Sequence, residues 1–334
     1  MRRLALLLAL LLLLGSMPAR AEETMPEALW AGRTRASLSV RPEMRRDAPV
    51  LYTYAKGQRV FILDYTPEWL KVVYGDAENF GTGYVLRHMV EDVKTVKSGA
   101  EPYGMVKNTY VAVVAKDTLL RTQPDAEGAV LCGLAAGSRV AIESIENGWA
   151  RIPYWRQVGY VYVGELADLT PIYEADEAQP GDVISAFTTF FAFASPQLTI
   201  NRAQNIATAC RFISHPIAPG ERFDFAESTE PYTLPRGYAE AVALFDGGTG
   251  TGMGGGVCQV SSTLYNVLLS LDGGIEVLLR RPHGPNGATY LPHGVDAAVG
   301  NETLNLIFRN THRFPVRIDA SAHNGVLYIA MLRE

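Results

Sequence analysis

Cysteine is scarce in this chain: three in 334 residues, Cys132, Cys210 and Cys258. That count excludes a disulfide-stapled scaffold, and being odd it leaves at least one thiol unpaired. Basic charge is not in excess either, with 30 Lys and Arg against 35 Asp and Glu. A net-acidic body argues against binding nucleic acid or anionic lipid by bulk electrostatics. Histidines number six and form no His-x-x-x-His pair, and no Cys-x-x-Cys occurs, so spacing supports no metal site and no cofactor is expected.

Long apolar runs are also missing, with one exception. Arg2 and Arg3 precede the run Leu4–Leu14, followed by Gly15, Ser16, Pro18 and Ala19-Arg20-Ala21. A charged start, a short apolar stretch and small-x-small residues form a secretory leader over 1–21. The run is too short for a stable transmembrane helix, which needs about 20 residues. No Cys follows it to carry a lipid. Cleavage removes three arginines and makes the mature chain more acidic. The expected product is secreted, extracytoplasmic and without stable membrane insertion; its oligomeric state is not legible.

The first half repeats itself. Leu51–Val60 aligns with Leu131–Val140, Trp69 with Trp149, and Gly83-Tyr84-Val85 with Gly159-Tyr160-Val161. Val60 and Ile62, like Val140 and Ile142, alternate as half-buried strands do. Each unit is the size of a small barrel of short strands. The landmarks resemble bacterial SH3-like (SH3b) domains, at 34–95 and 109–169. That resemblance implies docking to the cell wall, while Trp69, Tyr84, Trp149 and Tyr160 equally suit core and rim packing. The acidic, proline-flanked stretch within 170–185, with Glu174, Asp176 and Glu177, reads as a linker.

From 186 to 334 the texture becomes α+β. Arg202–Ile213 has helical spacing, and Val260, Leu264, Val267, Leu268 and Leu271 share one face of a second helix. Gly254-Gly255-Gly256 precedes that helix, which places Cys258 within its first turn. Helix N-terminal N–H groups and the helix dipole favour a thiolate and can hold an oxyanion. Downstream come strand Ile275–Leu279, then His283, Tyr290, His293 and Asp296. Cys, His, Asp in that order is the chain order of papain-like and transglutaminase-like thiol enzymes. A buried structural cysteine beside loop polar residues is the alternative. The segments Leu304–Phe308, Pro315–Ala320 and Val326–Leu332 read as strands, the last two joined by an Asn324-Gly325 turn.

The run Gly254–Asn266 resembles the VanW family, named after an accessory protein of vancomycin-resistance clusters. Supporting matches are Asn201-Arg202, Asn205-Ile206, Glu221 with Phe223, Arg236-Gly237-Tyr238, Arg281-x-His283, Tyr290, Gly294-x-Asp296-Ala297 and Asn310. Gly284 departs from the serine common there. The resemblance implies an envelope role at peptidoglycan or another wall polymer and leaves the chemistry open. Two readings follow. In one, the SH3-like modules dock on the wall and the C-terminal domain binds wall glycan or peptide through Gly254, Gly255, Gly256, Gln259, Ser261, Ser262, Arg202, Glu221, Arg236 and Tyr290. In the other, Cys258 is the nucleophile, His283 the base and Asp296 its orienter, for acyl transfer or amide hydrolysis on stem peptides.

Overall fold

The computed structural model describes residues 24–66, 68–76, 79–98, 100–101, 103–245, 248–283, 288–291, 294–300 and 303–334. The secretory leader and His293 lie outside the described residues.

The repeat in the sequence is a repeat of strand pairing. The first unit has β1 (Trp30–Thr34), β2 (Leu38–Val40), β3 (Tyr52–Tyr54), β4 (Arg59–Tyr65), β5 (Trp69–Gly75), β6 (Phe80–Leu86) and β7 (Val90–Thr95). The second has β8 (Tyr110–Val114), β9 (Thr118–Arg121), β10 (Val130–Leu134), β11 (Arg139–Ile142), β12 (Ser144–Glu146), β13 (Trp149–Tyr154), β14 (Gln157–Tyr162) and β15 (Leu166–Pro171). In the first, the order is β7-β1-β4-β5-β6, and the β2–β3 hairpin joins β6 through an Arg41–Tyr84 bridge. In the second, β15-β8-β11 and β12-β13-β14-β9-β10 reproduce that order, with Arg121 opposite Tyr160 at the same junction. The single strand β4 is split into β11 and β12 by Glu143, whose N–H turns to Arg151 O.

Neither unit closes among the described residues. β7 and β3, like β15 and β10, remain unpaired with each other, so the sheets are open where barrels were expected. Each still has its own core: Val60, Ile62, Leu70 and Val85 in the first, and Leu120, Val140, Ile152 and Val161 in the second. Trp69 is buried, while Trp149 is half-buried against Tyr162.

The third part carries β16 (Val183–Phe190), α1 (Gln197–Ile213), β17 (Pro216–Ile217), β18 (Arg222–Asp224), α2 (Phe225–Thr229), β19 (Glu240–Phe245), β20 (Gly248–Met253), α3 (Val257–Leu269), β21 (Ile275–Leu279), β22 (Ile307–Asn310), β23 (Val316–His323) and β24 (Val326–Arg333). Its main sheet runs β16-β24-β23-β17, beside β18-β22-β21 and the hairpin β19-β20. Helices α1 and α3 lie on the main sheet and bury Ile206, Val260 and Leu264 against Phe187 and Ile329. No described helix is long and apolar enough to cross a membrane.

Several boundaries differ from expectation. α1 starts five residues early, after Pro196; its first turn holds Leu198 and Ile200, neither of them in the buried face that runs from Asn205 to Ile213. Phe223 and Phe225 alternate, yet only the first lies in a strand; Asp224 caps α2 by accepting from Glu227 N, and both rings are buried. Residues 304–306 do not pair as a strand, since Asn305 accepts from Ala226 N and donates to Asp224. The segment read as a linker has strand only at its two ends. β15 runs to Pro171, β16 starts at Val183, and between them Ala178 is fully buried with its carbonyl bonded to Arg333.

Candidate active site

α3 begins on glycine because nothing else fits. Gly256 is its N-cap at φ +107°, and an added Cβ would stand 2.8 Å from Arg202 Cγ on α1. At Gly255 a Cβ would meet Val242 O at 2.5 Å. Tyr232 likewise closes over Gly254. The close approach that these glycines make possible is to the protein's own chain, at Arg202, Val242 and Tyr232. Asn205, fully buried, fixes the turn by donating to Ala239 O and Gly255 O, both at 2.9 Å.

Cys258 is the second residue of α3 and half-buried. Its thiol donates to Val299 O (3.2 Å) and accepts from Val299 N (3.5 Å). Two first-turn N–H groups are already used, Val257 to Gly254 O and Gln259 to Gly256 O. Tyr290 donates to Cys258 O at 3.2 Å, and burial raises its phenol pKa. The other thiols are set apart by burial, which raises Cys132 to about 11 and raises Cys210 as well.

His283 follows β21 and is held twice by Asp296, whose Oδ2 accepts from His283 N and from Nδ1, each at 2.6 Å. Both side chains are nearly inaccessible, 11% and 8% exposed. The outer ring nitrogen, Nε2, is buried and has no hydrogen-bond partner among the described residues. Burial disfavours the imidazolium, but the hydrogen bond to Asp296 and the nearby Cys258 sulfur and Asp296 carboxylate outweigh it and raise the His283 pKa to about 9. Burial also works against the Asp296 carboxylate, yet bonds from His283 and the charges of His283 and Arg280 hold it below the usual range. Arg280 Nε donates to Asp296 O and its Nη2 to Gly294 O, both at 2.7 Å.

The polar face of α3 fastens the loop that carries Asp296. Ser261 and Ser262 donate to Ala297 O, Ala297 N donates back to Ser262 Oγ (2.9 Å), and Asn266 Nδ2 reaches Val295 O (2.8 Å). These serines are fully buried, so they position the loop and do not face a substrate. Gln259 is also turned inward: Nε2 donates to Thr189 Oγ1 and Phe190 O, and Oε1 accepts from Arg202. Arg202 sits close to Cys258 and Tyr290, with its pKa lowered by burial. Glu221 and Arg236 are placed elsewhere. Glu221 accepts from Ala218 N in an exposed turn, and Arg236 donates to Ser228 O while stacking over Phe212. Neither touches Cys258, His283 or Asp296 among the described residues.

The structure thus brings Cys258, His283, Asp296, Tyr290 and Arg202 together. Sequence reasoning missed Arg280, Asn266 and Val299. Only Asn266 left a signal, standing eight residues after Cys258 and four after Ser262 on the same helical face.

Residues 201–332 match the family model described as VanW like protein. The chain is 32% identical over 132 residues to the uncharacterized protein YoaR of Bacillus subtilis (strain 168), covering 39% of this chain and 43% of that one. It therefore spans less than half the length of that relative. Among solved structures, NlpC1 from Trichomonas vaginalis aligns over 95% of this chain and 98% of its own, at 13% identity and a TM-score of 0.18. A NlpC/P60 family protein from Bacillus cereus aligns over 91% of this chain and 99% of its own, at 11% identity and a TM-score of 0.19.

Proposed function

We propose that this is an exported cell-envelope protein whose C-terminal domain uses Cys258 as a nucleophile on amide bonds of peptidoglycan peptides. The observation that carries this reading is the His283 ring: Asp296 fixes Nδ1 at 2.6 Å, and Nε2 is buried with no hydrogen-bond partner among the described residues, while the Cys258 sulfur lies near the ring. A protonated imidazole beside a sulfur at a helix N-terminus is the environment that favours a thiolate. The thiolate adds to the substrate carbonyl, and the C–N bond breaks as His283 passes its proton to the leaving amine. The resulting thioester is then cleaved by water, giving hydrolysis, or by a second amine, giving transfer, with His283 taking the attacking group's proton. In this reading the Cys258 N–H, at the second position of α3, is the donor assigned to the developing oxyanion.

The test is mass spectrometry of purified wall fragments incubated with the mature chain. Cys258→Ala should abolish product release, and the wild type should show a mass increase on Cys258 when quenched early. Full activity in Cys258→Ala would remove the nucleophile.

A second role is favoured by the first half. Two units with one strand-pairing order, carrying Trp155 and Tyr162 at 44% and 51% exposure, suit SH3-like wall docking. Tyr162→Ala should then weaken sedimentation of the chain with insoluble wall while sparing activity on soluble fragments.

A further inference from the structure

Among the described residues, Arg202 is a cation at the thiol helix that has no anion of its own. It stands on α1 where that helix packs against the start of α3, its Cγ 2.8 Å from the place a Cβ on Gly256 would take. From there the guanidinium reaches Gln259, with Nη2 donating to Oε1 at 2.6 Å. The arginine therefore packs on the N-cap of α3 and bonds to its third residue, and Cys258 lies between the two.

The Gln259 end of this contact is fixed from behind. Its Nε2 donates to Thr189 Oγ1 at 3.0 Å and to Phe190 O at 3.1 Å, so the amide oxygen is left to face Arg202. Gln259 is buried and neutral, and its carbonyl offsets little of a guanidinium charge. The bond occupies one N–H of the arginine fork. The others make no hydrogen bond and no ion pair among the described residues. They are not sealed off either: Arg202 is only half-buried, and none of its nitrogens is both inaccessible and unpartnered, as Arg156 Nε and Arg236 Nε are.

The balance of charge points the same way. Of the described groups that form the site, Arg202, Arg280 and the protonated His283 are cationic, and Asp296 is already engaged by His283 and Arg280. A thiolate at Cys258 would reduce the positive excess without removing it. A half-buried guanidinium lacking a counter-ion is unfavourable, and its planar fork matches a carboxylate in two parallel bonds.

We propose that Arg202 is the anion receptor of the thiol site: its free N–H groups take a carboxylate of the substrate and so place the adjoining amide carbonyl at Cys258. This rests on the proposed function of Cys258 and narrows it to peptides that carry a free acid beside the bond attacked, in preference to their amidated forms.

Two measurements on the full mature chain test it. In the first, Cys258→Ser protein is titrated calorimetrically with N-acetyl-alanyl-alanine and with its neutral amide, N-acetyl-alanyl-alaninamide. The acid should bind at least about tenfold more tightly, the scale of one charge-assisted hydrogen bond. Arg202→Gln should erase that preference and Arg202→Lys should keep part of it, a rescue that a purely structural arginine would not show. In the second, wild-type protein is alkylated with iodoacetate or with its neutral isostere iodoacetamide, and modification of Cys258 is followed by mass spectrometry. The ratio of the two rates should exceed that of an unstructured cysteine peptide and fall toward it in Arg202→Gln. Equal affinities for acid and amide, a preference that survives Arg202→Gln, or no binding of either probe at about 10 mM would overturn the proposal. So would an acid preference with an iodoacetate ratio no higher than the peptide's, which would put the anion site away from the sulfur. Inorganic phosphate competing as well as the acid would overturn the substrate class. A Cys258 inert to both reagents, with an acid preference lost in Arg202→Gln, would uphold the receptor and remove the nucleophile.

Discussion

At the scale of single residues, His283 makes stability depend on pH in a definite direction. Its pKa is about 9 in the folded chain against an ordinary 6.5. A raised pKa means that the folded state holds the proton more tightly, so the contribution is complete below 6.5 and is lost as pH rises through 9. With the group 11% exposed, the shift is worth about 3 kcal/mol at its largest. Asp296 acts on the other flank: its lowered pKa contributes above about 3.9 and is lost in acid. Urea titrations should show stability falling between pH 6.5 and 9.5, and His283→Gln should flatten that slope. A slope that persists in the variant would place the titration elsewhere. Cys258, His283 and Asp296 were legible in the sequence because each is a chemical type in an order that thiol chemistry uses. The orientation of Gln259, Ser261 and Ser262 was not, because it depends on Thr189, Phe190 and Ala297, which come from segments distant in sequence.

At the scale of elements, α3 is both the platform of the thiol and the clamp of its partners. Apolar spacing predicted this helix and its buried face, and the Asn324-Gly325 dipeptide predicted the turn before β24, where both residues have positive φ. Periodicity could not show that the other face is buried as well. Ser262 is the tightest point of that clamp, since its hydroxyl donates to Ala297 O and accepts from Ala297 N. Ser262→Ala leaves the buried Ala297 N–H without a partner, a loss of about 1–3 kcal/mol, while Ala297 O keeps the bond from Ser261. It should also release Asp296 from His283. The low-field imidazole N–H resonance expected from a 2.6 Å Nδ1–Oδ2 bond should then broaden or vanish, while Ser228→Ala, on α2, leaves it in place. A resonance unchanged in Ser262→Ala would mean that Ser261, Asn266 and Arg280 hold the loop without it.

At the scale of the whole molecule, the repeats are not beads on a string. Composition made residues 170–185 look like a linker, because acid and proline content reports hydrophilicity and says nothing of what a backbone carbonyl meets. Asn108 donates to Ala186 O (2.9 Å), Ala141 N to Thr188 Oγ1 (2.8 Å), and Arg139 pairs with Asp319 while lying over the Tyr328 ring. Ala141, Ala186, Tyr328 and Ala330 form one buried cluster across the junction, and Phe190 and Val326 enter the core of the second unit. Units joined by an apolar interface unfold together, whereas those joined by a polar one move apart. Calorimetry of the mature chain should therefore show the second unit and the C-terminal domain melting in a single transition. Thr188→Val, which strands the Ala141 N–H, should lower that transition by several degrees. Deleting residues 22–170 would uncover Phe190, Tyr328 and Ala330, so a shortened chain should aggregate rather than simply lose an anchor. Two resolved transitions, or a soluble and active C-terminal piece, would show that the junction adds nothing to the fold. If the single transition is observed, docking and catalysis cannot be separated by truncation, and point substitutions at Tyr162 and Cys258 become the means of telling them apart.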